Sequence, residues 1–477
     1  LAKAACSFND LMGAMENAKE ISGWDFLGTR LALDSIWQHQ LQTIEVESDD
    51  DNKVNQFYGA LYRSSFLPHV ISDRDGHAPQ FARGEHAALD DKVCWFPSEG
   101  NVSRQTYSDF SMWDIYRAQL PLLNIIDSDR TEQMMQSLTN MYSQGGWMPI
   151  FPCWNSYTSA MIGDHAASVV ADAYVKGNRN FDVAVAYQGL RKNAFTSPKT
   201  FEEYKNGMGR RALKSYLKYG YIPMEDSVME AFHTHEQVSR TLEYAYDDFC
   251  VAQLAKALGK TSDYQALMKR ARNWRNVINP HTGWADGRYK SGRWLNNQDI
   301  TGRVPFITEG AVIHYSFYVP HDVYGLMEAM GGRAAFVSKL DSLFGLSAFS
   351  LRESEVASGF YWHGNEPCHQ TAYLYAWAGQ PWKTQYIVHH VLNTEYLDVP
   401  GGLSGNDDAG QMSAWYIFSA LGFYPVCPAT PYYIIGAPSF KRAKIGHLTI
   451  EAPNVSDENI YIQSATWNGR PYTKTYI

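Results

Sequence analysis

Five stretches of this chain share one design, and that design restricts the fold more than any other feature. They read MIGDHAASVVADAYVKG, LEYAYDDFCVAQLAKALG, VPHDVYGLMEAMGG, HQTAYLYAWAGQ and GQMSAWYIFSALGF. Each opens on polar or acidic residues, continues with small and aromatic residues at helical spacing, and closes on a glycine. Apolar residues returning every three or four positions predict helices. Gly177, Gly259, Gly331, Gly379 and Gly422 stand where a helix end takes the left-handed conformation. More polar helical stretches lie between them, such as 200–219 and 262–278. Apolar helices alternating with amphipathic ones predict a mainly α toroid of helical hairpins, with an inner and an outer ring. An armadillo-type solenoid would need a fixed short repeat, and none is present. In a toroid the inner helices all run the same way, so the loops feeding their N-termini meet at one mouth.

From about Pro425 the pattern changes. YYIIGAPSF, LTIEAPN and NIYIQSATWNG are short β runs broken by Gly, Pro and Asn-Gly. The expected division is a helical domain over 1–424 and a small β-rich segment over 425–477, which suits 477 residues. Of two linker candidates, SPKTFEEYKNG and YLDVPGGLSG, the second reads better as an active-site loop. The net charge is -9 and no Lys/Arg-rich run occurs. That disfavours nucleic acid and an anionic membrane surface as partners, and no apolar run is long enough to span a bilayer. The 14 Trp and 31 Tyr suit a carbohydrate site, but on composition alone a large helical core accounts for them more readily.

Cys6, Cys94, Cys153, Cys250, Cys368 and Cys427 form no CxxC, so a zinc ribbon or thioredoxin-type site is unsupported. They are expected to be mostly buried free thiols, with one bridge still open. The sequons Asn101-Val-Ser and Asn454-Val-Ser matter only in a secreted eukaryotic protein. No signal peptide is visible. The chain opens at Leu1 and stops at Ile477 inside a strand-like run, and it reads as a fragment of a longer protein.

Polar clusters stand at the starts of the most apolar helices: Trp113-Asp114, Asp164-His165, Glu309, Asn365-Glu366 and Asn406-Asp407-Asp408. Any one could cap its helix and meet the dipole. Five at one mouth point to a polar pocket. In GGLSGNDDAGQMSAWY the adjacent Asp407 and Asp408 repel unless a cation or donors balance them. They could hold a hard cation, activate water, or cap the next helix. In YWHGNEPCHQ the oxygens of Asn365, Glu366 and Gln370 suit calcium. His363 and His369 match no common zinc spacing and read first as core histidines with satisfied hydrogen bonds. Glu309 follows Phe306 and Ile307; an apolar setting raises a carboxyl pKa, as a general acid requires. An ordinary helix-terminal carboxylate is the alternative. Glu243 is a second candidate acid, while Asp247 and Asp248, one turn on, read as ties between inner helices.

The stretches FSMWDIYRAQLPLL, GGWMPIFPCWNSYTSAMIGDHA, TLEYAYDDFCVAQLAKALGK, FITEG, HGNEPCHQTAYLYAWAGQPWKTQ and GNDDAGQMSAWYIFSALGFYPVCP together resemble glycoside hydrolase family 92, the calcium-dependent exo-α-mannosidases. They run in the family's order from about Phe110 to the C-terminus. The resemblance implies a six-hairpin α/α barrel behind an N-terminal β-sandwich, which would be missing here and would be the partner of this chain. It implies Glu309 as general acid and Asp408 as general base, helped by Asp407. Asn406 stands where the family has a partner carboxylate. Trp113 and Asp114 would hold the terminal mannose, with His363, Asn365, Glu366 and Asn406 around the substrate. Ca2+ would bind among Asn365, Glu366, Gln370 and Asp408. Asn365 occupies the place where members that cut α-1,2 linkages tend to carry His. The implied activity is inverting release of α-linked mannose from glycans, in a secreted or periplasmic setting. A trehalase- or glucosidase-like barrel, or a non-catalytic mannose-binding subunit, are the other readings.

Overall fold

A computed structural model describes residues 2–81, 94–95, 105–227, 233–345 and 360–477. The chain is mainly helical, and its helices fall into two kinds by burial. Met112–Ile115, Gln119–Ile126, Ala166–Val175, Gln237–Ala257, Val312–Tyr315 and Gln411–Leu421 bury nearly every residue. Others bury one stripe. Ser128–Gly145 hides Met134, Met135, Leu138 and Met141, and Arg333–Phe344 hides Phe336, Val337, Leu340 and Leu343. That three-and-four spacing is the mark of a helix with one face to a core.

The buried elements pack in two runs. Gln119–Ile126 packs on Ala166–Val175, which packs on Gln237–Ala257. Val312–Tyr315 meets the 3₁₀ turn Glu366–Cys368. Gln411–Leu421 returns to Gln119–Ile126, and Asp51–Arg63 and Pro381–Thr394 cover its outer side. Gln411 Oε1 seals this contact by accepting the N–H groups of Ala118 and Gln119 at 2.9 and 3.1 Å. These are the neighbours an α/α toroid would make.

The five terminal glycines all take positive φ: 101° at Gly177, 70° at Gly259, 100° at Gly331, 71° at Gly379 and 94° at Gly422. The helical stretches are less continuous than expected. Residues 200–219 form Phe201–Lys205 and Leu213–Tyr219. Between them Gly207 and Gly209 take φ of 71° and 86°, and a Cβ on Gly209 would come within 2.8 Å of the Trp147 ring. Residues 262–278 hold all of Thr261–Arg270 except its first residue, then a 3₁₀ turn, Asn273–Val277. HQTAYLYAWAGQ winds as 3₁₀ turns rather than an α-helix.

In the tail, Arg442–Ile445 is the middle strand of an antiparallel sheet, with Leu448–Glu451 on one side and Ile44–Glu47 on the other. The register pairs Ile44 with Ile445 and Glu47 with Arg442. Ala465–Trp467 and Arg470–Tyr472 form a hairpin across Asn468 and Gly469, both at positive φ, as an Asn-Gly turn favours. Residues 459–464, expected as part of a β run, form no strand.

Near the start of the chain, Leu11–Asn17 and Phe26–Leu41 bury none of their residues, although Leu11, Met12, Phe26, Leu31 and Ile36 are apolar. Cys6, Cys153, Cys250, Cys368 and Cys427 are free thiols, the last three buried. Asn101 and its sequon lie outside the described residues; Asn454 is exposed.

Candidate active site

Three carboxylates from distant parts of the chain converge on one place. Asp114 comes from the short helix Met112–Ile115, Glu366 opens a 3₁₀ turn, and Asp408 lies just before Gln411–Leu421. One oxygen from each lies within 4.8 Å of the others. Asp114 and Glu366 are buried. The Ser111 hydroxyl donates to Asp114. Asn365 spans the gap to Glu309: its amide donates to the Glu309 carbonyl at 3.2 Å, and its Oδ1 accepts the Glu366 N–H at 3.2 Å. Glu309 and Asp408 hold φ of 49° and 46°, and Ala409 follows at 60°. Side chains with a Cβ rarely occupy this region, and such strain gathers at functional sites.

The electrostatics follow from crowding. Burial, then the Asp408 charge, push the Asp114 carboxyl up to about 8. Burial and the Asp114 and Asp408 charges push Glu366 well above the carboxylate range. Glu366 Oε1 is buried without a hydrogen-bond partner among the described residues. A hard, oxygen-seeking cation fits such a set, because it offsets the repulsion and takes up the orphaned oxygen. Glu309 is also raised, chiefly by burial, with Asp408 adding to the effect and His233 and Arg303 opposing it. His233 Nε2 lies 4.0 Å from Glu309 Oε1.

The other expected site residues divide. Asp407 turns away from the cluster: its Oδ1 accepts the Ser413 N–H at 3.1 Å and the Ser413 hydroxyl at 2.7 Å, which caps Gln411–Leu421. Of the two aspartates, Asp408 alone joins Asp114 and Glu366. Asn406 is exposed. Gln370 is buried, donates to the Pro367 carbonyl, and lines a separate cavity with Tyr116, Arg117 and Tyr246. His363 has no exposed surface for a substrate. Its ring nitrogens pair with the hydroxyls of Tyr361 and Tyr396 at 2.7 and 2.6 Å, and its ring packs on Trp415. The substrate contact expected of it does not fit this burial. His369 is likewise enclosed, bonded to the His363 carbonyl and Gln411. Trp113 is 2% exposed, so it backs Asp114 as a wall rather than presenting an open ring face.

Asp164 and His165 also stand apart from the pit. Asp164 binds Arg210, which reaches on to Asp248, and Arg270 joins them there. His165 lies between Asp247 and Glu243. Asp247 thus ties Gln237–Ala257 to the start of Ala166–Val175, whereas Asp248 reaches Arg210 between helices and Arg270 at the end of the half-exposed Thr261–Arg270, so only the first makes the tie between inner helices that was expected of both. Glu243 is wholly buried, with no face open to a leaving group. The sequence reading missed Arg117, Tyr315 and His233. Arg117 lies three residues after Asp114, on the same side of a helical turn, and its guanidinium stacks over the rings of Trp113, Tyr116 and Tyr318. That spacing was a usable signal; for His233 and Tyr315 there was none.

The class this fold and site define is a mainly helical protein whose helix starts bring three carboxylates, Asp114, Glu366 and Asp408, to one place. The sequence matches the glycosyl hydrolase family 92 catalytic domain over residues 13–477, and the chain belongs to that family. It is similar to an uncharacterized secreted glycosidase of Arthroderma benhamiae, 30% identical over 516 residues, covering 100% of this chain and 58% of that protein. Its fold is similar to that of the family 92 α-mannosidase BT3965 from Bacteroides thetaiotaomicron in complex with mannoimidazole. That match has a TM-score of 0.87 and 32% identity, over 99% of this chain and 60% of the other. The inverting mannosidase BT2199 of the same organism superposes with a TM-score of 0.86 at 31% identity, over 99% and 63%. The chain therefore spans about three fifths of the length of these relatives.

Proposed function

We propose that this protein is the catalytic part of an exo-acting α-mannosidase, which hydrolyses terminal α-linked mannose from glycans with inversion and depends on calcium. The observation that carries the reading is the convergence of Asp114, Glu366 and Asp408 within 4.8 Å, beside a Glu309 whose carboxyl is raised. Glu309, whose carboxyl is raised chiefly by burial, gives its proton to the glycosidic oxygen as the bond to C1 breaks. Asp408 removes a proton from a water on the opposite face, and the hydroxyl becomes the new substituent at C1. In an inverting site the two carboxyl groups stand roughly 6.5–9.5 Å apart to admit that water. Trp113 and Asp114 form the wall that holds the terminal sugar, and Asn365 and Glu366 form its rim.

Asp114, Glu366 and Asp408, with Asn365 and Gln370, are the residues that would hold the calcium. When bound, it would supply a Lewis acid to the sugar's hydroxyls and offset the cluster's charge. Asp114 enters this set from the geometry.

The barrel reading is that of a six-hairpin α/α toroid over 1–424 with the β-rich segment 425–477. The apolar residues exposed on Leu11–Asn17 and Phe26–Leu41 suit packing against the family's N-terminal β-sandwich, and the longer relatives leave room for such a domain. A secreted or periplasmic setting is supported by the Arthroderma relative's description. Among the described residues no helix is long and apolar enough to cross a membrane.

The test is to incubate the full-length protein with α-linked mannobioses and follow the released sugar by NMR. β-Mannose as the first product supports the proposal. α-Mannose first, or no release with calcium present, refutes it.

A further inference from the structure

Behind the pit lies a buried assembly that the chemistry above does not use. Its centre is Glu243, on the 21-residue helix Gln237–Ala257. One of its oxygens, Oε1, accepts two hydrogen bonds: from the Trp113 indole N–H at 2.9 Å and from the Tyr315 hydroxyl at 2.6 Å. Its other oxygen faces His165 Nε2 at 3.4 Å. The far side of that ring is 2.9 Å from Asp247 Oδ1, one turn along the same helix, and Asp247 Oδ2 accepts the Asp164 N–H at 2.8 Å. His165 is stacked on Tyr116 with centroids 4.1 Å apart. All of these side chains are buried.

The two groups that meet on Oε1 come from opposite halves of the site. Trp113 precedes Asp114, which belongs to the acidic cluster. Tyr315 ends the turn that begins just after Glu309, and both line one cavity together with Thr308, Asn365 and Trp362. A carboxylate buried this deeply carries a desolvation penalty of several kcal/mol before its partners are counted. It is held here on a rigid helix with both bonds of Oε1 formed.

We propose that Glu243 is a positioning residue that sets the gap between the turn bearing Asp114 and the turn bearing Glu309, by holding Trp113 and Tyr315 on one oxygen. This rests on the reading of Glu309 and the acidic cluster as the reacting groups. A misplacement of about 1 Å at a catalytic group can cost about 100-fold in rate. Removal of the clamp is therefore read in kcat more than in KM.

The test uses Glu243→Ala and Glu243→Gln in the whole protein, labelled with 5-fluorotryptophan. Trp113→Phe identifies the Trp113 resonance. Glu243→Gln keeps an acceptor oxygen for both donors. The expected result for Glu243→Ala is a drop of about 100-fold in kcat on an α-mannoside, KM changed less than about three-fold, and a displaced or broadened Trp113 signal. Glu243→Gln should restore the signal and most of the rate. Wild-type kcat in a folded Glu243→Ala protein would overturn the proposal. So would equal loss in both variants with the Trp113 signal unmoved, which would point to charge rather than position. Wild-type protein inactive on every α-mannoside would defeat the functional reading instead. The fluorine signal would then still decide whether Glu243 anchors Trp113.

Discussion

His165 should make the protein's stability depend on alkaline pH, and the size of the effect can be worked out from its surroundings. Burial alone would lower this imidazole, but the Asp247 and Glu243 carboxylates on either side reverse that and bring it from 6.5 to about 9. A gap of that size corresponds to about 3 kcal/mol of preferential proton binding by the folded state. A raised folded value gives stability that is fully present below the unfolded pKa, near 6.5, and is lost as pH rises through about 9. The perturbation is His165→Gln, and the assay is urea unfolding of wild type and variant at several pH values between 6 and 9.5 (a range set by the two pKa values). The free-energy gap between the two proteins should be widest at the acidic end and narrow by about 3 kcal/mol at the alkaline end. Taking the difference removes groups common to both proteins. A gap that stays constant across the range would mean that His165 is neutral throughout, and would refute the ion-pair account of the Glu243 assembly.

Four further outcomes are expected. Glu309→Gln should slow hydrolysis of α-mannosides with poor leaving groups by about 10²–10⁴-fold, with much less loss on activated aryl mannosides in parallel assays; equal loss on both would remove Glu309 as the acid. Asp408→Ala should abolish activity, whereas Asp407→Ala should mainly lose the helix cap, about 1 kcal/mol by denaturant titration. Calcium added to chelator-treated protein should raise its thermal midpoint and restore activity, with stabilisation of about 2.7 kcal/mol at a hundredfold excess over Kd; unchanged melting and activity after chelation would count against the metal. Arg210→Met should destabilise by about 3–5 kcal/mol, because Asp164 and Asp248 would keep their burial and lose their shared partner.

The helix ends were the most legible part of the chain. Gly177, Gly259, Gly331, Gly379 and Gly422 all take the conformation their positions required, because a helix end is a local event. The Asn468-Gly469 turn is legible for the same reason. The clustering of Asp114, Glu366 and Asp408 could be anticipated from their places at helix starts, since a toroid brings those starts together. What the sequence could not supply was the direction of each side chain. Asp164-His165 opens an inner helix as Asp114 does, yet faces Arg210, Asp247 and Glu243 because those partners, 46 to 83 residues away, lie on the neighbouring side. His363 stands two residues before Asn365, but Tyr361 and Tyr396 enclose it. Asp407 and Asp408 are adjacent and serve different ends, because the left-handed turn at Asp408 sends their carboxylates apart.

The uncovered apolar helices near the start of the chain bear on how the protein behaves in a tube. Leu11, Phe26 and Ile36 are 75%, 71% and 66% exposed, and where such residues join into one patch they drive self-association. A preparation ending at Leu1 should scatter light increasingly with concentration, even while its barrel stays intact, and mild detergent or Leu→Lys changes on those two helices should clear it.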